Sequence, residues 1–398
     1  MEESKKVGIL SHILPPFQSG QAAVIYQLLK DMPVDRYCLI SLKNKKLESK
    51  GKVGLKKLNG SYYYLNNIRL PYRLAAFNIP FLPFYNINTR VKGLMKIIKN
   101  ENLGAIIACS GDLYNLPAAN IACKNLDIPL GIYMFDDYVY QWKGLNRSLS
   151  KALAPGLFND AMGIIAPNEY LRDEYQKNYE VKANVIHNPC EIYDINEIDK
   201  KPSVFNRDNI NIVYTGSIYG AHYDAFKNLV DAVKLSEDKN IRIHLYTSTS
   251  KEDLKSKGIF GDFMVFHSYV SQEEIPTILR NADILFLPLA FNSGFPEVIK
   301  TSAPGKTGEY LASGRPILVH APSDSFLSSY FTKNKCGVVV DKDDPMLLIS
   351  AVEDLIKNDE LKNEISKNAR EAAVRDFSLD MVKRQFNDFV DNLIMEKR

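Results

Sequence analysis

"SAPGKTGEYLASGRPILV", Ser302–Val319, decides how this chain is read. Its Gly305-Lys306-Thr307 has the spelling with which a phosphate loop ends. Such a loop also needs a glycine five positions earlier, directly after a strand, so that successive backbone amides wrap the phosphates. Lys300 stands there, and the preceding "FNSGFPEVIKTSA" reads as loop, far from the strand-like "DILFLPL". The P-loop reading fails. A dinucleotide fingerprint fails too, because "HILPPFQSGQ" offers one glycine and "TGSIYGAHY" spaces Gly216 and Gly220 wrongly, so NAD binding is not expected. The chemistry still suits a phosphate. Lys306 opens the helical "KTGEYLAS", where free backbone N–H groups and the helix dipole favour an anion and a lysine adds a point charge. Glu309, three residues on, shares that helical face. A carboxylate beside phosphates repels them unless it accepts hydrogen bonds from sugar hydroxyls. Ordinary helix-end electrostatics, with Lys306 solvated, explains the pair equally well at this point.

Around this segment short apolar runs alternate with helical periodicity. "INIVYTG", "IRIHLYTS", "MVFHSYV", "DILFLPL", "PILVH" and "GVVVD" read as strands; "DAFKNLVDAVKLSE", "SQEEIPTILRNA" with Ser271 as N-cap, and three amphipathic C-terminal segments read as helices. The same rhythm runs upstream through "KVGILSHI", "YCLISL", "AIIAC", "LGIYMF", "MGIIAP" and "NVIHNP". Between the two halves lies the polar, Pro-containing "HNPCEIYDINEIDKKPSVFNRDN". The expectation is α/β: two Rossmann-like parallel-sheet domains in tandem, binding ligands at the carboxyl ends of their strands and, if they face each other, in a central cleft.

A length of 398 residues exceeds one ordinary core, and 45% hydrophobic with 24% charged residues is a globular composition. The five cysteines are scattered, odd in number and never in a CxxC pair, which points to a reducing compartment and away from structural zinc. "MEESKKVGILSHILPP" lacks signal-peptide anatomy and no apolar run spans a bilayer, so the expected location is the cytoplasm. The net charge of +3 hides an asymmetry: residues 1–190 carry +9 and residues 191–398 carry −6. Much of the excess lies in Lys43–Lys57, with seven lysines and one glutamate. The stretches "SYYYLNNIRLPYRL" and "FNIPFLPFYNINTRVKGLMKIIK" that follow interleave aromatics with basic residues. Such a surface suits an anionic membrane at the inner face of the cell membrane; a solvated loop beside a local core is the plainer alternative. No nucleic-acid motif is present.

"PGKTGEYLASGRPILV" as a whole resembles the donor-site segment of GT-B glycosyltransferases of the family 4-like group. "ILPPFQSGQAAVIYQLL" is similar to that group's first-strand loop and helix, "IVYTGSIYG" to the opening of its donor domain, and "MVFHSYVSQEEIPTILRNADILFLPL" to the base-proximal elements. "NDAMGIIAPNEYLRDEYQKNY" with "NVIHNPCEI" resembles its interdomain approach, and "SLDMVKRQFNDFVDNLI" the helix that crosses back. The resemblance implies an acceptor-binding domain over 1–188, a donor domain over 189–376 and a crossing helix over 377–398. It implies a retaining hexosyl transfer from a nucleotide-diphosphate sugar, UDP-sugar foremost, with no metal or cofactor. Lys306 would hold the diphosphate and Glu309 the ribose hydroxyls. Ser19, Gly20, Gly216, Ser217, His222, Tyr269, Thr307 and Gly308 complete the implied donor set.

The chain departs from the family pattern in three places. The sugar-contacting glutamate eight positions before Glu309 is replaced by Thr301, with Glu297 off register; Ser217 replaces a basic residue, for which His222 or Lys227 is a substitute; and the customary His-Asp pair corresponds to Phe135-Asp136, followed by Asp137. In "MFDDYVYQW" the carboxylates Asp136 and Asp137 suit an acceptor hydroxyl, with Tyr138 and Trp142 as a sugar-binding surface; capping and packing are the alternative roles. The expected acceptor is a glycan or lipid-linked intermediate of envelope polysaccharide, lipopolysaccharide or glycoconjugate synthesis. A catalytically silent GT-B subunit that binds a nucleotide sugar or partner protein is the second reading.

Overall fold

Val-, Ile- and Leu-rich runs shielded on both faces form two all-parallel sheets, the burial that crossover helices impose. The computed structural model describes residues 6–17, 19–43, 55–66, 82–200, 203–268 and 270–395. The chain divides into two units: one holds the residues up to His187 together with those from Val382 on, the other runs Asn188–Met381.

In the first unit the strands are β1 (Lys6–Leu10), β2 (Tyr37–Leu42), β3 (Ser61–Leu65), β4 (Leu103–Cys109), β5 (Leu130–Tyr133), β6 (Gly163–Ala166) and β7 (Asn184–Val185), in the order β3-β2-β1-β4-β5-β6-β7. The order reverses between β1 and β4, so the loops after these strands flank the crevice where open α/β sheets take ligands. The second unit holds β8 (Ile210–Thr215), β9 (Ile241–Tyr246), β10 (Met264–His267), β11 (Ile284–Pro288), β12 (Ile317–His320) and β13 (Val338–Val340), in the order β10-β9-β8-β11-β12-β13. Its switch point lies between β8 and β11. The last helix, Leu379–Met395, packs Phe386 against Tyr133 in the first unit, with ring centroids 6.2 Å apart. The two-sheet α/β expectation matches what forms.

Two local expectations need correction, and one helix was not expected. "SYYYL", read as part of an aromatic surface, is strand β3, paired parallel with β2 from Cys38↔Ser61 to Leu42↔Leu65. Tyrosine favours strands, and these tyrosines find partners: Tyr62 Oη donates to the Pro15 carbonyl at 2.9 Å and Tyr63 Oη to Glu101. The helix Gly144–Asp160 escapes a periodicity reading because Pro155 lies inside it. The helix expected from Ser271 begins at Ile275, because Pro276 favours the first turn; Ser271 instead binds the Glu274 carboxylate through its N–H and Oγ, at 2.9 and 2.7 Å. Residues 44–54, 67–81 and 269 lie outside the described residues, and with them most of the lysine-rich stretch, much of the aromatic-basic one, and Tyr269. Among the described residues no helix is long and apolar enough to cross a membrane. All five cysteines are buried and lie outside any disulfide.

Candidate active site

The deciding segment folds as the short helix Lys306–Ala312, leading into β12. Two tyrosines tie its start to the end of β8. Tyr310, fully buried, accepts the Thr215 N–H on its Oη at 2.9 Å. Lys306 Nζ donates to Tyr214 Oη at 2.6 Å and lies 4.0 Å from that ring's centroid. Tyr214 Oη in turn donates to the Ser217 carbonyl at 2.8 Å. The ammonium thus rests beside Gly216, whose φ of +115° is a left-handed conformation that glycine adopts without cost. A Cβ at that position would stand 3.1 Å from Lys306 Nζ. The sequence therefore builds a lysine head group, a glycine turn and an exposed Ser217 into one corner at the second unit's switch point.

Lys306 and Glu309 each keep some surface, yet the surrounding protein strips enough water to move both. Burial pushes Lys306 down to about 7, against the pull of Glu309, and pushes Glu309 up to about 7, against the pull of Lys306. The corner is poised to change charge near neutrality. Among the described residues, no donor hydrogen-bonds the Glu309 carboxylate, which leaves its oxygens as acceptors for hydroxyls.

The other second-unit residues divide. His222 is 4% exposed, and burial, aided by the charge of Lys306, lowers it to about 3. As a substitute cation for the missing basic residue it fails, because the imidazole stays neutral; its Nδ1 accepts the Tyr219 N–H at 3.4 Å. Gly308 serves packing: a Cβ there would meet Cys190 Sγ at 3.0 Å and Phe377 Cβ at 3.2 Å, so its open side faces protein and not a ligand. Thr307 is buried with its Oγ1 unpartnered. Ser217 Oγ lies 3.3 Å from Ser248 Oγ. Thr301 caps the short helix Pro296–Lys300, which carries Glu297, in a stretch read as loop.

In the first unit Ser19 caps the helix Gly20–Leu29, accepting the Ala22 N–H at 3.0 Å. Gly20 is exposed, and a Cβ there meets nothing within 4 Å, so packing does not require the glycine. After β5 the paired carboxylates separate. Asp137, 6% exposed, accepts the N–H groups of Val139 and Tyr140 at 2.7 and 2.6 Å, and burial raises its carboxyl to about 6. Tyr138 is fully buried and donates to the Leu113 carbonyl at 2.8 Å. For these two the alternative roles win: Asp137 caps a turn and Tyr138 packs, because a backbone turn here needs an acceptor and the core needs a ring. Asp136 is exposed and no described group hydrogen-bonds its carboxylate, while Ser110 Oγ receives its N–H and that of Phe135. Trp142 is half-buried against the core. Among the described residues no cluster of His, Cys, Asp and Glu has metal-site geometry.

Residues 209–358 match the family model described as "Glycosyl transferases group 1". That span holds Gly216, Lys306 and Glu309. HepE of Anabaena, in complex with UDP and glucose, matches over 97% of this chain and 99% of its own, with 14% identity and a TM-score of 0.67. A glycosyltransferase from Rickettsia africae matches over 99% and 100%, with 14% identity and a TM-score of 0.70. Sucrose-phosphate synthase of Thermosynechococcus elongatus matches over 98% and 99%, with 13% identity and a TM-score of 0.71. The chain carries a glycosyl transferase domain on a GT-B fold. By that domain it is a transferase. No curated protein matches the chain in sequence. The residue of this corner that the sequence reading missed is Tyr214: a polar ring at the end of a strand, two residues before a glycine, was its only signal.

Proposed function

We propose that the chain transfers a hexosyl group, with retention, from a UDP-sugar to a glycan or lipid-linked acceptor of envelope polysaccharide, lipopolysaccharide or glycoconjugate synthesis. The observation that carries the reading is the Lys306 ammonium held against Tyr214 beside Gly216, with the acceptor oxygens of Glu309 on the same helix. The UDP and UDP-glucose named with HepE support the choice of donor. In the reaction the bond from the anomeric carbon to the diphosphate oxygen breaks, and the acceptor oxygen bonds to that carbon. The acceptor's proton leaves with the diphosphate. Lys306 offsets the charge that develops on the leaving group, the task that fixed electrostatics perform most effectively away from bulk water. Glu309 fixes the ribose hydroxyls, and Ser217 supplies a hydroxyl donor for a phosphate oxygen. Asp136 accepts the hydrogen bond of the acceptor hydroxyl. This scheme uses no metal or other cofactor.

The protein's place, in this reading, is the cytoplasmic face of an anionic membrane. The helix Leu82–Asn100 contains no acidic residue, and its outer face exposes Phe84, Tyr85, Lys92, Lys96 and Lys99. Aromatic and basic groups on one face suit a headgroup layer.

The neutral His222 and the loss of a basic residue at Ser217 favour a second reading, a silent subunit that binds a nucleotide sugar or partner without turning it over. Thermal unfolding with UDP, GDP, dTDP, ADP and CMP, each with and without magnesium, tests the donor site, since a ligand of the native state raises the melting temperature. A metal-independent shift with UDP that Glu309→Ala abolishes supports the reading. UDP-sugar turnover lost in folded Lys306→Ala separates the enzyme from the silent subunit; a UDP shift without turnover of any UDP-sugar favours the latter.

A further inference from the structure

We infer that Tyr214 is the positioning residue of the diphosphate lysine: its hydroxyl, as hydrogen-bond acceptor, holds the Lys306 ammonium in place. The inference rests on the proposed donor site and adds a residue to it.

The argument is one of hydrogen-bond direction. A lysine ammonium only donates, whereas a tyrosine hydroxyl donates once and accepts through its lone pairs. Tyr214 Oη commits its proton to the Ser217 carbonyl at 2.8 Å, so the lone pairs are what it offers to Nζ at 2.6 Å. The tyrosine is held by its surroundings: it is fully buried, on β8, with its ring edge-on to Phe226 at 4.8 Å. Its face adds a second attraction, with Nζ 4.0 Å from the centroid. The Ser217 carbonyl at the far end of the relay belongs to the Gly216 turn, so one side chain joins the lysine to the loop beside which the diphosphate is proposed to bind.

The other groups around the ammonium do not substitute for Tyr214. Glu309 and Tyr310 lie on the lysine's own helix, and Tyr310 Oη is engaged by Thr215. His222, from the helix start that packs on Tyr214, is neutral, and Tyr219 stacks edge-on against His222 at 4.6 Å. Burial raises Cys190 and Tyr193, with the charge of Glu309 adding to it, and neither is among the charges that act on Lys306. Tyr214→Phe keeps the ring and removes only the acceptor. The charged form of Lys306 then loses a hydrogen bond while its burial stays, so its titration midpoint falls further below the ordinary lysine range.

Two readouts test this on the full chain. The first is the side-chain 13C NMR titration of Lys306 in the unliganded protein. Tyr214→Phe is expected to lower the midpoint by about one unit, and Tyr310→Phe, which leaves the Lys306 contact intact, to leave it within a few tenths of wild type. The second is UDP binding by calorimetry from pH 6 to 8. Tyr214→Phe is expected to weaken binding about tenfold at pH 7.5 and to have no further effect in the Lys306→Ala background. An unchanged midpoint in folded Tyr214→Phe overturns the inference, as does a loss of UDP affinity that persists undiminished without Lys306. If wild type binds no UDP while the midpoint still moves, the coupling of Tyr214 to Lys306 stands and the donor-site reading falls.

Discussion

Gly216→Ala perturbs the backbone and the site together, and the structure separates the two effects. At φ +115° an L-residue is strained, at a cost of about 1–2 kcal/mol in stability. The new methyl would also stand 3.1 Å from Lys306 Nζ and 3.2 Å from its Cε. Those atoms are the free end of a flexible chain, so the lysine swings away and the collision itself adds little. Its hydrogen bond to Tyr214 is lost, but water replaces that partner once the head group moves outward. Denaturant unfolding is therefore expected to show about 1–2 kcal/mol of destabilisation, set by the backbone. UDP binding loses more than the fold does, because the displaced ammonium no longer meets the diphosphate. A loss of about 1.5–2 kcal/mol corresponds to a Kd roughly 10- to 30-fold higher by calorimetry. Gly220→Ala, where a Cβ meets nothing within 4 Å and φ is not left-handed, serves as the control and leaves both quantities near wild type. Stability within about 0.5 kcal/mol of wild type in Gly216→Ala would refute the strained turn. Unchanged UDP affinity in the folded variant would refute the placement of Lys306 at the diphosphate.

Gly20→Ala is expected to leave stability unchanged or raise it by up to about 1 kcal/mol in thermal unfolding, since nothing crowds a Cβ there, while UDP affinity falls if the diphosphate approaches this backbone. A stabilised variant with wild-type affinity would remove Gly20 from the donor set. UDP affinity measured against Lys306→Ala, which cancels the ligand's own titration, should fall as pH rises from 6 to 8. Below about 7 the lowered Lys306 is charged and the raised Glu309 neutral, and above about 7 the reverse holds, so the site turns from attractive to repulsive for an anion. A flat difference profile would contradict this charge change. Asp112→Ala should cost about 3–5 kcal/mol in denaturant unfolding, because Arg90, 1% exposed, loses its carboxylate partner and the Tyr114 and Asn115 N–H groups lose their acceptor. A loss under about 1 kcal/mol would mean the Arg90 guanidinium finds other compensation.

Much of the second unit was legible in the sequence because its strands are short apolar runs bounded by glycine, proline and polar turns. "INIVYTG" and "PILVH" state their conformation locally. The Lys306–Glu309 pair was legible for the same reason: helical spacing alone puts both side chains on one face. Strand β3 was not, because "SYYYL" spells an aromatic surface until the pairing with β2 and the Glu101 carboxylate supply partners for its tyrosines.

The sequence by itself determined what periodicity and spacing encode: two βαβ series, a polar stretch between them, and a lysine three residues before a glutamate. Tertiary structure decided which polar groups are spent inside the protein. It turned Asp137 into a turn cap while leaving Asp136 exposed, buried Tyr138, held His222 neutral and closed Gly308 against Cys190. It also brought Tyr214 to Lys306, 92 positions away in the chain. The physical reason is that burial and hydrogen-bond partnership belong to neighbours in space, and the chain's local spelling carries neither.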